Sequence, residues 1–414
     1  MNYPRRLDNI LSYIIILSFY GSLQLFAQVN ERVAKIQIEE TAGLSRELQY
    51  IQVDIQIRGN KIQNLFAEDI SSGTNIPCQL FTRLNHDDEN ISILTVIFPI
   101  SLHAFEKKTV ILRKSNHLDS LVTDLKVSGD KTELVIENTY FRADLRRSAD
   151  SDAKSHYCGQ LRELFLKMDF NQLFMRTENR MHWAPNFRKK GEEDYYTISD
   201  WENPHKNHIY RGPYSVITER QDFAPAIPEI FLSASYRFYA NLPFFVFSSL
   251  MEVINDVWLD LLRNDEMTMD SLFTHVAYQT HNKTIIDLPF STRENILKNE
   301  PIPADAHWLC FYNDETGYAF GSIRIVYNNR NEFGHRSPTY KPHTKISDGA
   351  GGGKYWNRRL IDDYPVLVPG GSKYYEQNAY LVFGIDSRQK FIHIDFWAKR
   401  LRNPPSVFVV QNYY

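Results

Sequence analysis

Val33-Ala-Lys-Ile-Gln-Ile38 and Tyr50-Ile-Gln-Val-Asp-Ile-Gln-Ile57 alternate apolar with polar side chains, and runs of this kind recur along almost the whole chain. Period-two alternation places successive side chains on opposite faces of a strand, so it restricts such a chain to sheets with one face buried. Aromatic residues make up 14% of the sequence and sit largely inside these runs, which suits a pleated, half-buried surface. Few long stretches have helical spacing, and neither an internal repeat nor a low-complexity tract is present. The expectation is an all-β protein.

The first alternating block contains Val33–Ile38, Tyr50–Ile57, Ile91–Phe98 and Lys108–Arg113, with turn signals at Gly59-Asn60 and Ser71–Asn75. It predicts a small β-sandwich over 28–120, closed by the polar stretch Ser115–Asp124. Strand signals resume at Leu125–Val127, Glu133–Asn138 and Tyr140–Leu145, then Leu232–Tyr239, Phe244–Ile254, Ser271–Tyr278, Trp308–Tyr312, Gly317–Tyr327, Tyr374–Phe383 and Phe391–Trp397. Gln160–Phe174 fits a helix or two strands, and Arg263-Asn-Asp-Glu266 reads as a turn. So many consecutive strands exceed one small sandwich and predict a large antiparallel two-sheet sandwich over 121–414.

Before these blocks lie Arg5 and Arg6, an apolar run from Ile10 to Phe26, and Ala27. That order of basic, apolar and small-residue regions predicts a cleaved signal peptide over 1–27 and a periplasmic or secreted protein. No comparable apolar run follows, so no membrane span is expected after cleavage. The formal net charge of −3 gives no electrostatic reason to expect nucleic acid as a partner. Three cysteines (Cys78, Cys158 and Cys310) are too few for a disulfide scaffold. Asp348-Gly-Ala-Gly-Gly-Gly-Lys354 lacks the Ser/Thr ending and strand–helix setting of a phosphate loop.

Three polar and aromatic clusters are the candidate sites. His182-Trp183 offers a titratable ring beside a stacking face. Trp201, His208, Tyr210 and Arg211 form the second cluster, and His205-x-x-His208 has a two-ligand spacing for a divalent cation. Pro204 argues against a helix there and no third ligand is evident, so no cofactor is expected, with a structural or catalytic divalent cation left as the alternative. The third runs from Phe333 to His343, with His335, Arg336 and Tyr340, and on through the glycine loop to Lys354, Trp356 and Arg359.

Met181-His-Trp-Ala-Pro185, Tyr210-Arg-Gly-Pro213, Tyr236-Arg-Phe-Tyr239, Arg263–Glu266 and Phe273-Thr-His-Val-Ala-Tyr278 carry a further signal. With the strand-rich layout, these phrases resemble the galactose-mutarotase-like supersandwich proteins, especially exported bacterial polysaccharide lyases with a small β-sandwich in front. Phe273–Tyr278 looks like the mutarotase segment holding the catalytic histidine, here His275. The resemblance implies an enzyme acting on an acidic polysaccharide or oligosaccharide. β-Elimination needs a clamp on the uronate carboxylate, a base for the C5 proton and an acid for the departing oxygen. Arg211, Arg237 or Arg336 suits the clamp, and His275 with Tyr210 or Tyr340 suits the proton transfers. A glycoside hydrolase would instead need two facing carboxylates, for which Glu202, Asp265 and Glu266 are available. An epimerase or mutarotase would use His182 and His275, and a non-catalytic binding protein would use Trp183, Trp201 and Trp356 as stacking platforms.

Overall fold

The computed structural model describes residues 31–413 apart from 59–61, 85–90, 116–120, 147–158, 168–171, 176–180, 199–200, 202–203, 225, 270, 293–296, 298–300 and 350–351. The proposed signal segment, Cys158 and Glu202 lie outside the described residues. Apart from one helix of 11 residues, the regular structure over the described residues is strand, and the strands pair antiparallel. The fold is all-β.

Two compact units are present. The first is a sandwich of a five-stranded and a three-stranded sheet. The larger sheet has the order Ser406–Asn412, Arg32–Glu39, Lys107–Lys114, Leu65–Asp69, Thr74–Pro77, and the smaller has Arg46–Arg58, Ile91–Leu102, Gln79–Leu84. Alternation puts Val53, Ile55 and Ile57 of one sheet and Ile36, Ile38, Val110 and Leu112 of the other into one core. The last strand, Ser406–Asn412, pairs with Arg32–Glu39 in this unit and not with the large sandwich that precedes it in sequence. Val407 packs on the core that Val33 and Ile38 help to form.

The second unit, Leu121–Pro405 with Thr41–Leu44, contains three sheets. The largest has nine strands in the order Lys206–Arg211, Ser215–Ala224, Ile227–Tyr239, Phe244–Val253, Lys373–Gly384, Tyr318–Asn328, Trp308–Tyr312, His275–Gln279, Ile285–Pro289. A seven-stranded sheet, with Val257–Met269 and Lys354–Ile361 at its centre, faces it: Trp356 packs on Phe311 and Phe320 with centroids 4.8 and 5.7 Å apart. A five-stranded sheet over Lys126–Met175 packs on the same face further along, where Phe141 meets Phe245 at 5.6 Å. Gln160–Phe174 thus belongs to strands, Glu163–Leu166 and Gln172–Met175.

Two expectations are corrected. Phe391–Trp397 is not a strand but the start of the helix Ile392–Arg402. Its buried positions Ile394 and Ala398 are four apart, and Asp395 in the first turn and Lys399, Arg400 and Arg402 in the last complement the helix dipole. The helix covers the outer face of the nine-stranded sheet, where Asp395 accepts hydrogen bonds from Trp308 Nε1 (3.0 Å) and Gln279 Nε2 (2.9 Å). Arg263–Glu266 is not a turn. The strand runs on to Met269, and the extra residues form a bulge between Asn264 and Met267 against the Lys354–Ile361 strand.

Candidate functional site

The bulge sets up the site. Asp265, fully buried at φ 46°, points from the seven-stranded sheet into the inner face of the nine-stranded one. Its carboxylate accepts hydrogen bonds from Ser322 Oγ (2.9 and 3.0 Å), Trp356 Nε1 (3.1 Å) and Tyr380 OH (3.1 Å), with Arg324 Nε 3.6 Å away. Its own backbone N–H donates to Glu376 Oε1 at 2.9 Å. Phe320, Ser322 and Arg324 share the inward parity of one strand, and Tyr374, Glu376, Asn378 and Tyr380 that of its neighbour. A shift of register between Arg324 and Val326 then turns Tyr327 inward, where its hydroxyl donates to Asn378 Oδ1 at 3.0 Å.

Two arginines balance the two carboxylates. Arg324 donates to the carbonyls of Pro303 (3.1 Å) and Ala304 (3.0 Å) and to Thr344 Oγ1 (2.6 Å). Arg358 donates from Nε to the Ala304 carbonyl (3.1 Å), lies 3.5 Å over the centroid of the Tyr327 ring and reaches Glu376 Oε2 at 3.5 Å. That last contact is an ion pair too long to be a hydrogen bond, so Arg358 Nη1 and Glu376 Oε2 both lack a hydrogen-bond partner among the described residues. Burial pushes the Glu376 carboxyl up and Arg358 pulls it partly back, to about 7. Burial also raises the Tyr327 and Tyr380 hydroxyls well above the ordinary tyrosine value.

Arg358 and Tyr327 connect this network to the outside. Both line an open cleft of about 320 Å³, together with Asp305, Asn328, Arg330, Arg336, Ser337 and Thr339. Arg330 is held by the Gly334 carbonyl (2.7 Å) and bridges to Arg336 across a tight loop. Three arginines and one carboxylate, Asp305, line the cleft. Because Arg358 already pairs with Glu376, Arg330 and Arg336 against Asp305 leave a donor-rich surface with one positive charge in excess. The arrangement can hold an anion bearing several acceptor oxygens.

The other sequence candidates lie elsewhere. Of the Phe333–His343 cluster, Arg336 reaches the cleft, whereas Tyr340 stacks on Tyr364 (5.1 Å) and His335 lies exposed beside Phe333. Trp356 is no stacking platform, because it is wholly buried on Asp265. His182 is also wholly buried, its Nδ1 bonded to Tyr236 OH and its Nε2 3.5 Å from Tyr380 OH, so it cannot touch a ligand arriving from solvent. Its neighbour Trp183 is half-buried, and the Trp183 N–H donates to the Glu266 carbonyl. Trp201 is buried, donating to the Phe223 carbonyl at 2.8 Å. Arg359 pairs with Asp362, and Lys354 pairs with Asp348 at the hairpin that carries the glycine loop.

His275 stands on the outer face, stacked on Tyr312 at 4.9 Å and hydrogen-bonded through Nδ1 to Thr274 Oγ1 at 2.8 Å. Tyr312 donates to Asp287 (2.6 Å), and Lys390 closes the group against Asp314 (2.9 Å). His208, Tyr210 and Arg211 lie on the first strand of the nine, Arg237 on the third and His275 on the eighth. At roughly 4.8 Å per strand, seven steps separate His275 from Tyr210 by about 30 Å along the sheet, so the two cannot act on one bond. Arg211 donates to the Gly129 carbonyl (2.9 Å), far from the cleft by the same order of strands. The residues that sequence reasoning passed over are Arg324, Tyr327, Arg330, Arg358 and Glu376. For Arg324, Arg358 and Glu376 the signal was charge within a strand at a buried position; Tyr327, turned inward by a shift of register, and Arg330, exposed beyond the strand end, carried none.

No protein-family profile matches the chain. No curated protein matches it in sequence either. Solved structures do. One is a protein in the glycosyl hydrolase family 38 from Enterococcus faecalis, 9% identical, with a TM-score of 0.52 over 96% of this chain and 50% of that one. Another is an α-mannosidase from Enterococcus faecalis V583, also 9% identical, with a TM-score of 0.50 over 96% of this chain and 49% of that one. The likeness is one of fold. This chain spans about half the length of either protein.

Proposed function

We propose that this chain is part of a carbohydrate-processing protein and that its arginine cleft holds an acidic sugar residue. The observation that carries this reading is the meeting of Arg330, Arg336 and Arg358 in one cleft with hydroxyl and amide side chains around them. Guanidinium groups suit a uronate carboxylate, while Asn328, Ser337 and Thr339 suit sugar hydroxyls. The fold shared with a glycosyl hydrolase family 38 protein and an α-mannosidase supports a sugar ligand by analogy alone. The basic and apolar start of the sequence supports reading the protein as exported.

β-Elimination is the second reading, because the cleft arginines could neutralise the uronate carboxylate. Asp305, exposed at the cleft wall, would then have to accept the C5 proton. Glycoside hydrolysis fits less well: Asp265 and Glu376 are sealed behind Arg358 and cannot flank a sugar ring.

Titration calorimetry with galacturonate oligosaccharides and their neutral galactose counterparts tests the proposal. Acidic oligomers should bind, and Arg336→Ala, which removes an exposed charge, should weaken them about tenfold or more at unchanged thermal stability. Equal binding of the neutral oligomers would overturn it. An ultraviolet signal from unsaturated uronate, lost in Asp305→Asn while binding persists, would decide for elimination.

A further inference from the structure

Glu376 and Arg358 are the least satisfied pair in the buried network, and only the arginine reaches the cleft. Glu376 Oε1 is fixed by the Asp265 N–H, whereas Oε2 has only the 3.5 Å contact with Arg358 Nη1. We infer that an anionic ligand in the cleft takes over from Glu376 as the counter-ion of Arg358, so that binding is coupled to uptake of a proton by Glu376. The inference rests on the proposed acidic-sugar reading of the cleft.

Every charged group packed against Glu376 bears on this. Lys354–Ile361 contributes Arg358, Val257–Met269 contributes Asp265, and Tyr318–Asn328 contributes Arg324 and Tyr327. Its own strand adds Tyr380, and the flanking strand Phe244–Val253 places Ser249, which does not titrate, opposite it. With both carboxylates ionised, the group of Asp265, Glu376, Arg324 and Arg358 is neutral. A ligand carboxylate beside Arg358 would make it negative by one, in a place where burial penalises net charge. Protonating Glu376 restores neutrality and leaves Arg358 to the ligand. Burial already holds the Glu376 carboxyl near 7, close to the pH at which the exchange would operate.

The direction follows from linkage. A ligand anion raises the Glu376 value above that of the free protein, so protons are taken up above about pH 7, and affinity falls as pH rises through that window. Below it, Glu376 is protonated in both states and affinity levels off.

Calorimetric titration of the whole chain with trigalacturonate near pH 8, in two buffers of different ionisation enthalpy, reads the uptake directly. The expected result is a buffer-dependent heat corresponding to a fraction of a proton, with affinity weakening several-fold, and at most about tenfold, per pH unit above 7. In Glu376→Gln the buffer dependence should vanish and the affinity should become independent of pH between about 6 and 8.5. Binding with equal heats in the two buffers overturns the inference and leaves the acidic-sugar reading standing, as does uptake that persists in the Gln variant. No binding at any pH in that range overturns both. The paired wild-type titrations decide the matter even where the Gln variant does not fold.

Discussion

Asp265 combines a left-handed backbone, complete burial and five side-chain contacts, from Ser322, Trp356, Tyr380, Tyr327 and Arg324. A non-glycine residue at φ 46° costs on the order of 1–3 kcal/mol and persists where its surroundings over-determine it. Here they do: these groups converge on the carboxylate, and its N–H is taken by Glu376. Asparagine tolerates the same backbone, so Asp265→Asn isolates the charge. The variant should lose about 3–5 kcal/mol in urea unfolding, because Arg324 is left buried without its counter-ion and one amide N–H₂ now faces donors. A loss below about 1 kcal/mol would mean that the ion pair contributes little to the fold. In sequence, Asp265 is one of four consecutive polar residues, which is why the stretch reads as a turn. Local polarity cannot distinguish a turn from a bulge whose partners lie on another sheet. Glu376 and Arg324 were more legible, since each interrupts an apolar face at a position that parity assigns to the core.

Among the elements, the alternating strands were readable because one face of each is buried along its length. The helix Ile392–Arg402 was not, because Phe391-Ile-His-Ile-Asp-Phe-Trp397 alternates well enough to fit a strand, and only the basic tail after it favours a helix. What fixes the helix is a tertiary contact. Gly321, on the outward parity of its strand, leaves room for Ile394: a Cβ there would meet Ile394 Cδ1 at 2.6 Å and Cys310 Cβ and the Leu309 carbonyl at 3.0 Å. Gly321→Ala should therefore destabilise the second unit by about 1–3 kcal/mol. Ile394→Val, costing about 0.5–1.5 kcal/mol alone by removing Cδ1, should cost less in the Ala background. Such a double-mutant cycle would give a favourable coupling, whereas strict additivity would mean that the helix does not rest on Gly321.

At the scale of the whole molecule, the strand content was legible, while the destination of the last strand was not. Ser406–Asn412 alternates like its predecessors, and nothing local says which sheet it joins. The cleft was equally hidden, since it gathers residues from segments that sequence spacing keeps apart. The buried network nevertheless gives the whole fold a pH dependence with a definite sign. Glu376 rises from 4.5 to about 7 on folding, so between those values the folded state holds a proton that the unfolded state has released. Its contribution to stability is full below about pH 4.5, declines as pH rises to about 7 and is constant beyond. Other groups pull the opposite way: His307 is lowered by burial and by Arg402, which costs stability below its ordinary value of 6.5. Asp144, raised by burial but held lower still by hydrogen bonds from Arg146, costs stability in stronger acid. Raw stability against pH therefore mixes signs. Comparison with Glu376→Gln removes the mixture, because His307 and Asp144 titrate alike in both proteins. The difference in unfolding free energy, wild type minus variant, should fall by up to about 1.4 kcal/mol per pH unit between about pH 4.5 and 7 and then run flat. A difference constant across that range would place the Glu376 carboxyl at its ordinary value, and the counter-ion exchange with Arg358 would then lack its proton acceptor.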